Sequence, residues 1–398
     1  MQWASALSQK QALSDAVAEL KGLLSKQLSG QRPDLVVAFV SPHHQEVYEE
    51  LPDLVEDLLA PTVLVGCAAA GVIGGGVEVE EGPILSLTAA HLPGVALHPF
   101  HLEIDDLPDL DDEPSAWVQT LGVHQRPAPH FILMADPFSF DPKGLLMGLD
   151  FAYPDSAKVG GLASGSMTPG ENALFLDQEA FSSGAVGVAL QGNVRVDTVV
   201  AQGCRPIGKP MTITRCEEKH LLIEVDGRNP MEVLTEIYST LSAKDQHLMQ
   251  HALHVGVAST ELQEAFHAGD FLIRNLMGVD QKQGILAIGE ELQNGQTIQF
   301  HVRDAETAAE DLNHMLSRYR ATSPGPSPAG ALLFSCQGRG QYLYGRPNHD
   351  SEAFTKALGK IPLGGFFCAG EIGPVAKATH IHGFTSSFGI FRPFAEKP

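Results

Sequence analysis

Runs of consecutive apolar, β-branched residues alternate with amphipathic segments along most of this chain. Leu13, Ala16, Val17, Leu20, Leu23 and Leu24 recur at helical spacing and predict a helix over residues 8–28, ended by Gly30 and Pro33. Residues 35–41, LVVAFVS, form an unbroken apolar run suited to a strand buried on both faces. A helix is predicted around residues 46–59. A strand over 62–65 then leads into the turn Gly66-Cys67-Ala68-Ala69-Ala70-Gly71, and residues 83–91 read as a further strand. The same order recurs. Residues 130–136 (HFILMAD) read as a strand and 142–153 as a helix. Ala157-Lys158-Val159 enters Gly160-Gly161-Leu162-Ala163-Ser164-Gly165, and strands follow near 173–176 and 184–190. It recurs again when Leu332-Leu333-Phe334 breaks into Ser335-Cys336-Gln337-Gly338-Arg339-Gly340. A helix over 350–358, GFFCAGEIGP at 365–374 and HGFTSSF at 382–388 complete that third copy.

In each copy the first strand and the glycine-rich turn lie roughly thirty residues apart, a usual βαβ length. The pattern therefore predicts an internal structural repeat on an α/β fold, with α+β left open and the sheets mixed or parallel. Between the second and third copies the pattern changes. Asn229-Pro230 reads as a helix start with 231–241 following. Strands are predicted over 254–259, 270–277, 284–289 and 297–304, and a helix over 305–320. Thr322-Ser323-Pro324-Gly325-Pro326-Ser327-Pro328 reads as a linker. Two domains are expected, 1–227 and 228–398, with the boundary near Gly227 and the linker 321–329 inside the second.

Charge narrows the partners. The 48 acidic residues outnumber the 26 basic ones, giving a formal charge of −22. Nucleic acid and anionic membrane surfaces need clustered Lys and Arg, so neither is expected. The five cysteines, Cys67, Cys204, Cys216, Cys336 and Cys368, are odd in number, widely spaced and without a CxxC pair. A disulfide framework is not expected and a reducing compartment is. There is no signal-like N-terminus and no apolar run long enough to span a bilayer, so membrane insertion is not expected and a cytoplasmic protein is.

Candidate chemistry gathers at the glycine turns. Glycine there lets the backbone approach a ligand closely, and ligands of α/β sheets tend to sit beyond the carboxyl ends of strands. Arg339 has a guanidinium that can grip a carboxylate with two bonds. Glu371 can hold an ammonium group or pair with Arg339, so the two suit either a zwitterion or an internal ion pair. Cys336, with Arg339 three residues on, is the candidate nucleophile. Its plainer reading is a small pocket-lining residue. His247, His251 and His254 are spaced to share one helix face and to offer three imidazoles to zinc. No carboxylate or cysteine accompanies them, and a polar helix edge is the plainer reading. His380 and His382 read as same-face strand residues. The acidic loop over 103–113 lacks EF-hand spacing. No Walker loop, GxGxxG, GxSxG or HExxH is present, and no cofactor is expected.

FSCQGRG, GFFCAGEIGP and HGFTSSF, with GCAAAG and QGCRPIGKP upstream, resemble the FIST family over nearly the whole chain. The resemblance implies an N-terminal and a C-terminal FIST domain, and a role in sensing small ligands, amino acids among them. It marks Cys336, Gly338, Arg339, Gly340, Gly370, Glu371, Gly373, Pro374 and Thr385, and, from the first turn, Cys67 and Gly71. Family members often carry a hydroxyl residue in that first turn. Here Cys67 is followed by three alanines, so a hydroxyl contact from it is not expected. The leading expectation is a cytoplasmic sensor of an amino acid or small carboxylate that signals through a protein partner. The alternatives are an enzyme on a small metabolite using Cys336, and a scaffold whose acidic surface engages a basic partner.

Overall fold

The structure, a computed structural model, describes residues 1–259, 266, 269–323, 325–376 and 378–394. Pro324 of the expected linker lies outside the described residues. By contact the chain divides into two units. One comprises residues 1–200, 315–381 and 385–398; the other comprises 201–314 and 382–384.

The first unit contains three six-stranded sheets of one plan. In each, two central parallel strands are joined through a helix. Leu35–Val40 pairs with Val63–Ala68, His130–Ala135 with Lys158–Leu162, and Gly330–Cys336 with Leu363–Cys368. An antiparallel strand lies on the outer side of the first of each pair: Leu85–His91, Ala185–Gly192 and Ser386–Arg392. An edge strand completes that side: Gln2–Ser8, Val95–Leu102 and Arg195–Ala201. The last two strands of each sheet are a hairpin supplied by a different copy. Leu174–Leu176 and Glu179–Phe181 join the first sheet. Glu371–Val375 and Ala378–His382 join the second. Val72–Gly74 and Val77–Val79 join the third. The expected repeat is thus present as a mixed α/β architecture whose three copies exchange hairpins in a ring.

Strand Leu35–Val40 shows why its apolar run is unbroken. Leu35, Val37 and Phe39 face a core shared with Ile132, Met134, Leu332 and Phe334 of the other two sheets. Val36, Ala38 and Val40 face a second core with Leu13, Leu20 and Leu24 of helix Leu13–Gln27. With both faces covered, no polar position survives.

Several elements differ from expectation. The helix expected over 8–28 starts at Leu13, and Gln2–Ser8 before it is a strand; Pro42–Glu50 is a 3-10 helix preceding the α-helix Leu51–Leu59. The glycine-rich turns sit further on than their glycines suggest. Gly66, Cys67, Gly160 and Gly161 are inside strands, and Glu371 opens a strand after a two-residue turn. The glycines are there for backbone approach. A Cβ on Gly66, Gly160 or Gly365 would come within 2.0, 1.9 and 1.9 Å of the carbonyl oxygen of Ala38, Leu133 and Leu333 on the neighbouring strand. These three positions are equivalent in the three copies.

The second unit holds a closed six-stranded barrel of Arg205–Glu217, Leu221–Val225, Ile285–Ile288, Phe271–Asp280, Leu253–Ala258 and Thr297–Val302. Helix Pro230–Thr240 starts as expected, with the Asn229 side chain accepting the Met231 N–H at 2.9 Å. The histidine trio does not share a helix. His247 and His251 lie on Ala243–His251 with rings 4.7 Å apart, but His254 lies in the next strand. The three-residue step across the helix end breaks the helical spacing. Among the described residues no group of three potential metal ligands occurs.

Candidate functional site

The strand ends of all three copies meet beyond Cys67, Leu162, Cys336 and Cys368. Ser164 stitches them together. Its Oγ accepts the Ala70 N–H at 3.0 Å and donates to the Phe367 carbonyl at 2.5 Å. The Phe367 N–H donates to the Gly71 carbonyl at 2.9 Å, and a Cβ on Gly71 would stand 2.9 Å from the Phe367 ring. The Leu162 N–H reaches the Gly370 carbonyl at 2.8 Å. A hydroxyl of the second copy thus bonds to the first turn, which has none of its own.

Cys336 and Cys368 are direct partners in the parallel ladder. The Cys336 N–H donates to the Thr385 carbonyl at 3.0 Å and the Gln337 N–H to the Cys368 carbonyl at 3.2 Å. The Gly338 N–H points at Cys336 Sγ, 3.5 Å away. Cys67 and Cys368 are wholly buried, while Cys336 is partly exposed. Burial, with the negative charge of Glu371 and the neighbouring Cys67 and Cys336, pushes the Cys368 thiol well above its ordinary pKa.

Arg339 is completely buried, and its two-bond grip is made to Asp350. Nε donates to Oδ2 at 2.7 Å and Nη2 to Oδ1 at 3.0 Å. Nη2 also meets Tyr344 Oη at 2.5 Å, and the Tyr344 ring stacks on His349 at 3.5 Å. Ser386 and Ser335 donate to Asp350 Oδ2 at 2.5 and 3.3 Å. Burial alone would raise the Asp350 carboxyl. The Arg339 charge, with hydrogen bonds from His349 and Ser386, outweighs that and holds it well below the usual carboxylate range.

The third copy's helices are capped by the first copy's hairpin. Glu80 accepts the Gln341 N–H at 2.8 Å, and Glu78 accepts the Ser351 N–H at 2.7 Å. Gly340 makes this possible: its φ is +55°, and a Cβ there would lie 2.4 Å from the Glu80 carboxylate. Burial, then the Asp350 charge, pushes Glu78 up to about 7 against the pull of the Ser351 N–H.

Glu371 is also fully buried and opens the hairpin strand that pairs with Gly161. Its Oε2 accepts the Thr385 N–H at 3.0 Å. Gly161 has no side chain to place opposite it, and a Cβ there would fall 2.4 Å from Cys368 Sγ. Cys67, Gly71, Cys336, Gly338, Arg339, Gly340, Gly370, Glu371 and Thr385 thus all stand at or beside the strand ends, split between an Arg339–Asp350 side and a Cys368–Glu371 side.

The FIST N domain profile matches residues 34–228 and the FIST C domain profile residues 230–374. The chain belongs to the FIST family. FIST domains are associated with sensory signal transduction. An uncharacterised protein of Mycobacterium tuberculosis is 37% identical over 376 residues, covering 94% of this chain and 96% of that one. An uncharacterised protein of Mycobacterium bovis matches equally, over 95% of its length. An F-box/LRR-repeat protein of Arabidopsis thaliana is 27% identical over 172 residues, 41% of this chain and 31% of that one. Among solved structures, a cyanuric acid hydrolase of A. caulinodans overlays with a TM-score of 0.35 at 8% identity, across 98% of this chain and 99% of that one, too distant to carry an argument.

The two FIST profiles meet near residue 229, whereas the contact units interleave along the chain. Thr385 lies past the matched residues. Sequence reasoning missed Ser164, Asp350, Glu78 and Glu80. Asp350 opens a helix, a position whose acidic residue has an ordinary explanation in the helix dipole. Glu78 and Glu80 sit in a hairpin with no local sign that it is lent to another sheet.

Proposed function

We propose that this FIST protein is a cytoplasmic sensor that binds a small amino acid or carboxylate at the strand ends around Glu371 and signals through a protein partner. The carrying observation is Glu371, a fully buried carboxylate in a glycine-lined turn beside Gly161, Gly370 and Cys368. Its Oε2 takes the Thr385 N–H, and a carboxylate at this position is a natural counterpart for a ligand ammonium. Arg339 is engaged by Asp350, so in this reading it shapes the turn that carries Gly338 and Gly340. A ligand carboxylate would take its hydrogen bonds from the backbone of the strand-end turns. Family membership in sensory signalling supports the role, and the excess of acidic residues supports a partner with a basic face.

The test is thermal unfolding against a panel of amino acids and small carboxylates. Ligand at a hundred times its Kd adds about 2.7 kcal/mol to stability. A compound that raises the midpoint of wild type and fails on Glu371→Gln supports the reading. A compound that stabilises both equally places the site elsewhere. If no compound shifts wild type, the small-ligand reading is withdrawn in favour of a protein partner.

A further inference from the structure

We propose that Cys336 and Cys368 form a redox-active thiol pair, oxidised by a hydroperoxide to a disulfide that ties the two central strands of the third sheet together at their carboxyl ends. The pairing is set by register. Cys336 and Cys368 are opposite one another in a parallel ladder. Neighbouring strands run about 4.8 Å apart, within the Cα separation that a disulfide spans. Two residues earlier on each strand, Phe334 and Phe366 face the same core as Cys368, so both cysteines lie on that face.

The two thiols differ in the way a peroxide-reactive pair requires. Cys336 is partly exposed. Its sulfur faces the Gly338 N–H at 3.5 Å, and the Arg339 guanidinium, three residues on, is within electrostatic reach. The Gly338 N–H is a donor in place for the sulfur when it attacks. Cys368 is buried, with Gly161 opposite leaving room for its Sγ. It is the resolving partner.

In the first step the Cys336 thiolate attacks one oxygen of the hydroperoxide. An S–O bond forms, the O–O bond breaks, and the other oxygen leaves as an alcohol after taking a proton. In the second step the Cys368 sulfur displaces the oxygen of the Cys336 sulfenic acid. The S–S bond forms, the S–O bond breaks, and water leaves with the Cys368 proton. Two thiols together lose two electrons, and the peroxide is reduced to alcohol and water. The linkage would freeze the Gln337–Gly340 and Ala369–Gly370 turns. Its formation is read without any ligand, so it stands or falls apart from the site proposed above.

The experiment treats the full-length protein with hydrogen peroxide, blocks residual thiols under denaturing conditions and maps peptides by mass spectrometry. The expected product is a peptide pair joined through Cys336 and Cys368, two hydrogen atoms lighter than its parts and released by dithiothreitol. Cys336→Ser should abolish it, while Cys204→Ser and Cys216→Ser should not. In Cys368→Ala, Cys336 should persist as a sulfenic acid trapped by dimedone. Cys336→Ser, at a partly exposed position, carries the test alone if Cys368→Ala does not fold. Cys336 ending as a sulfinic acid in wild type, a link to Cys67 or between chains, or no oxidation of Cys336 would each overturn the proposal.

Discussion

Arg339 and Asp350 are each fully surrounded by protein, so their pairing is judged by what remains when one is removed. Arg339→Ala leaves the Asp350 carboxylate buried without its main countercharge. A loss of about 3–5 kcal/mol is expected, measured by urea unfolding. An unfolding free energy unchanged from wild type would show that the pair contributes nothing net. Glu78 gives the opposite kind of test. Its carboxyl is held at about 7, above the ordinary 4.5, by burial and the Asp350 charge. A raised carboxyl pKa stabilises the fold below the ordinary value, and that stabilisation is lost as pH rises through the raised one. Glu78→Gln keeps an acceptor for the Ser351 N–H but cannot ionise. The variant should therefore gain on wild type between pH 4.5 and 8, by roughly 3 kcal/mol at the upper end. A pH-independent difference would place Glu78 at its ordinary value.

At the scale of elements, the parallel strand pairs depend on glycine. Gly160→Ala would drive a methyl group to 1.9 Å from the Leu133 carbonyl oxygen, which belongs to the ladder and cannot turn aside. A cost near the top of the overpacking range, about 3 kcal/mol, is expected. Gly22 is the control. It lies exposed on helix Leu13–Gln27 with nothing within 4 Å of a Cβ, so Gly22→Ala should gain about 0.5–1 kcal/mol. Equal effects at both sites would mean that glycine in the ladder serves no packing purpose.

Across the whole molecule, the exchanged hairpins decide what folds together. The first copy lends Val72–Val79 to the third sheet and receives Leu174–Phe181 from the second copy. The third copy holds its own edge strand, Arg195–Ala201, more than a hundred residues ahead of its next element in the sheet, with the barrel between. No copy owns a complete sheet. A fragment ending at Gly192 lacks the hairpin of its second sheet and leaves its own first hairpin unpaired. It should show no cooperative thermal transition by circular dichroism, whereas the full chain should unfold its three-sheet unit in one step. A cooperative transition in the fragment would mean that hairpin exchange is dispensable.

The sequence by itself determined the local grammar of this protein. Apolar runs announced strands buried on both faces, because a strand between two cores admits no polar position. Helical spacing announced the covering helices, and the recurrence of both announced three copies. The same residues marked the strand ends as the candidate site, and the family to which the chain belongs. The tertiary structure decided what pairs with what. Nothing near Arg339 in sequence marks Asp350 as its partner over Glu371, since an acidic residue opening a helix needs no other reason. Nothing in residues 72–80 marks their destination, and only the sheet order shows that this hairpin completes the third copy and carries Glu78 and Glu80 to its helices. Long-range pairing is set by packing all three copies at once, and local pattern holds no record of it.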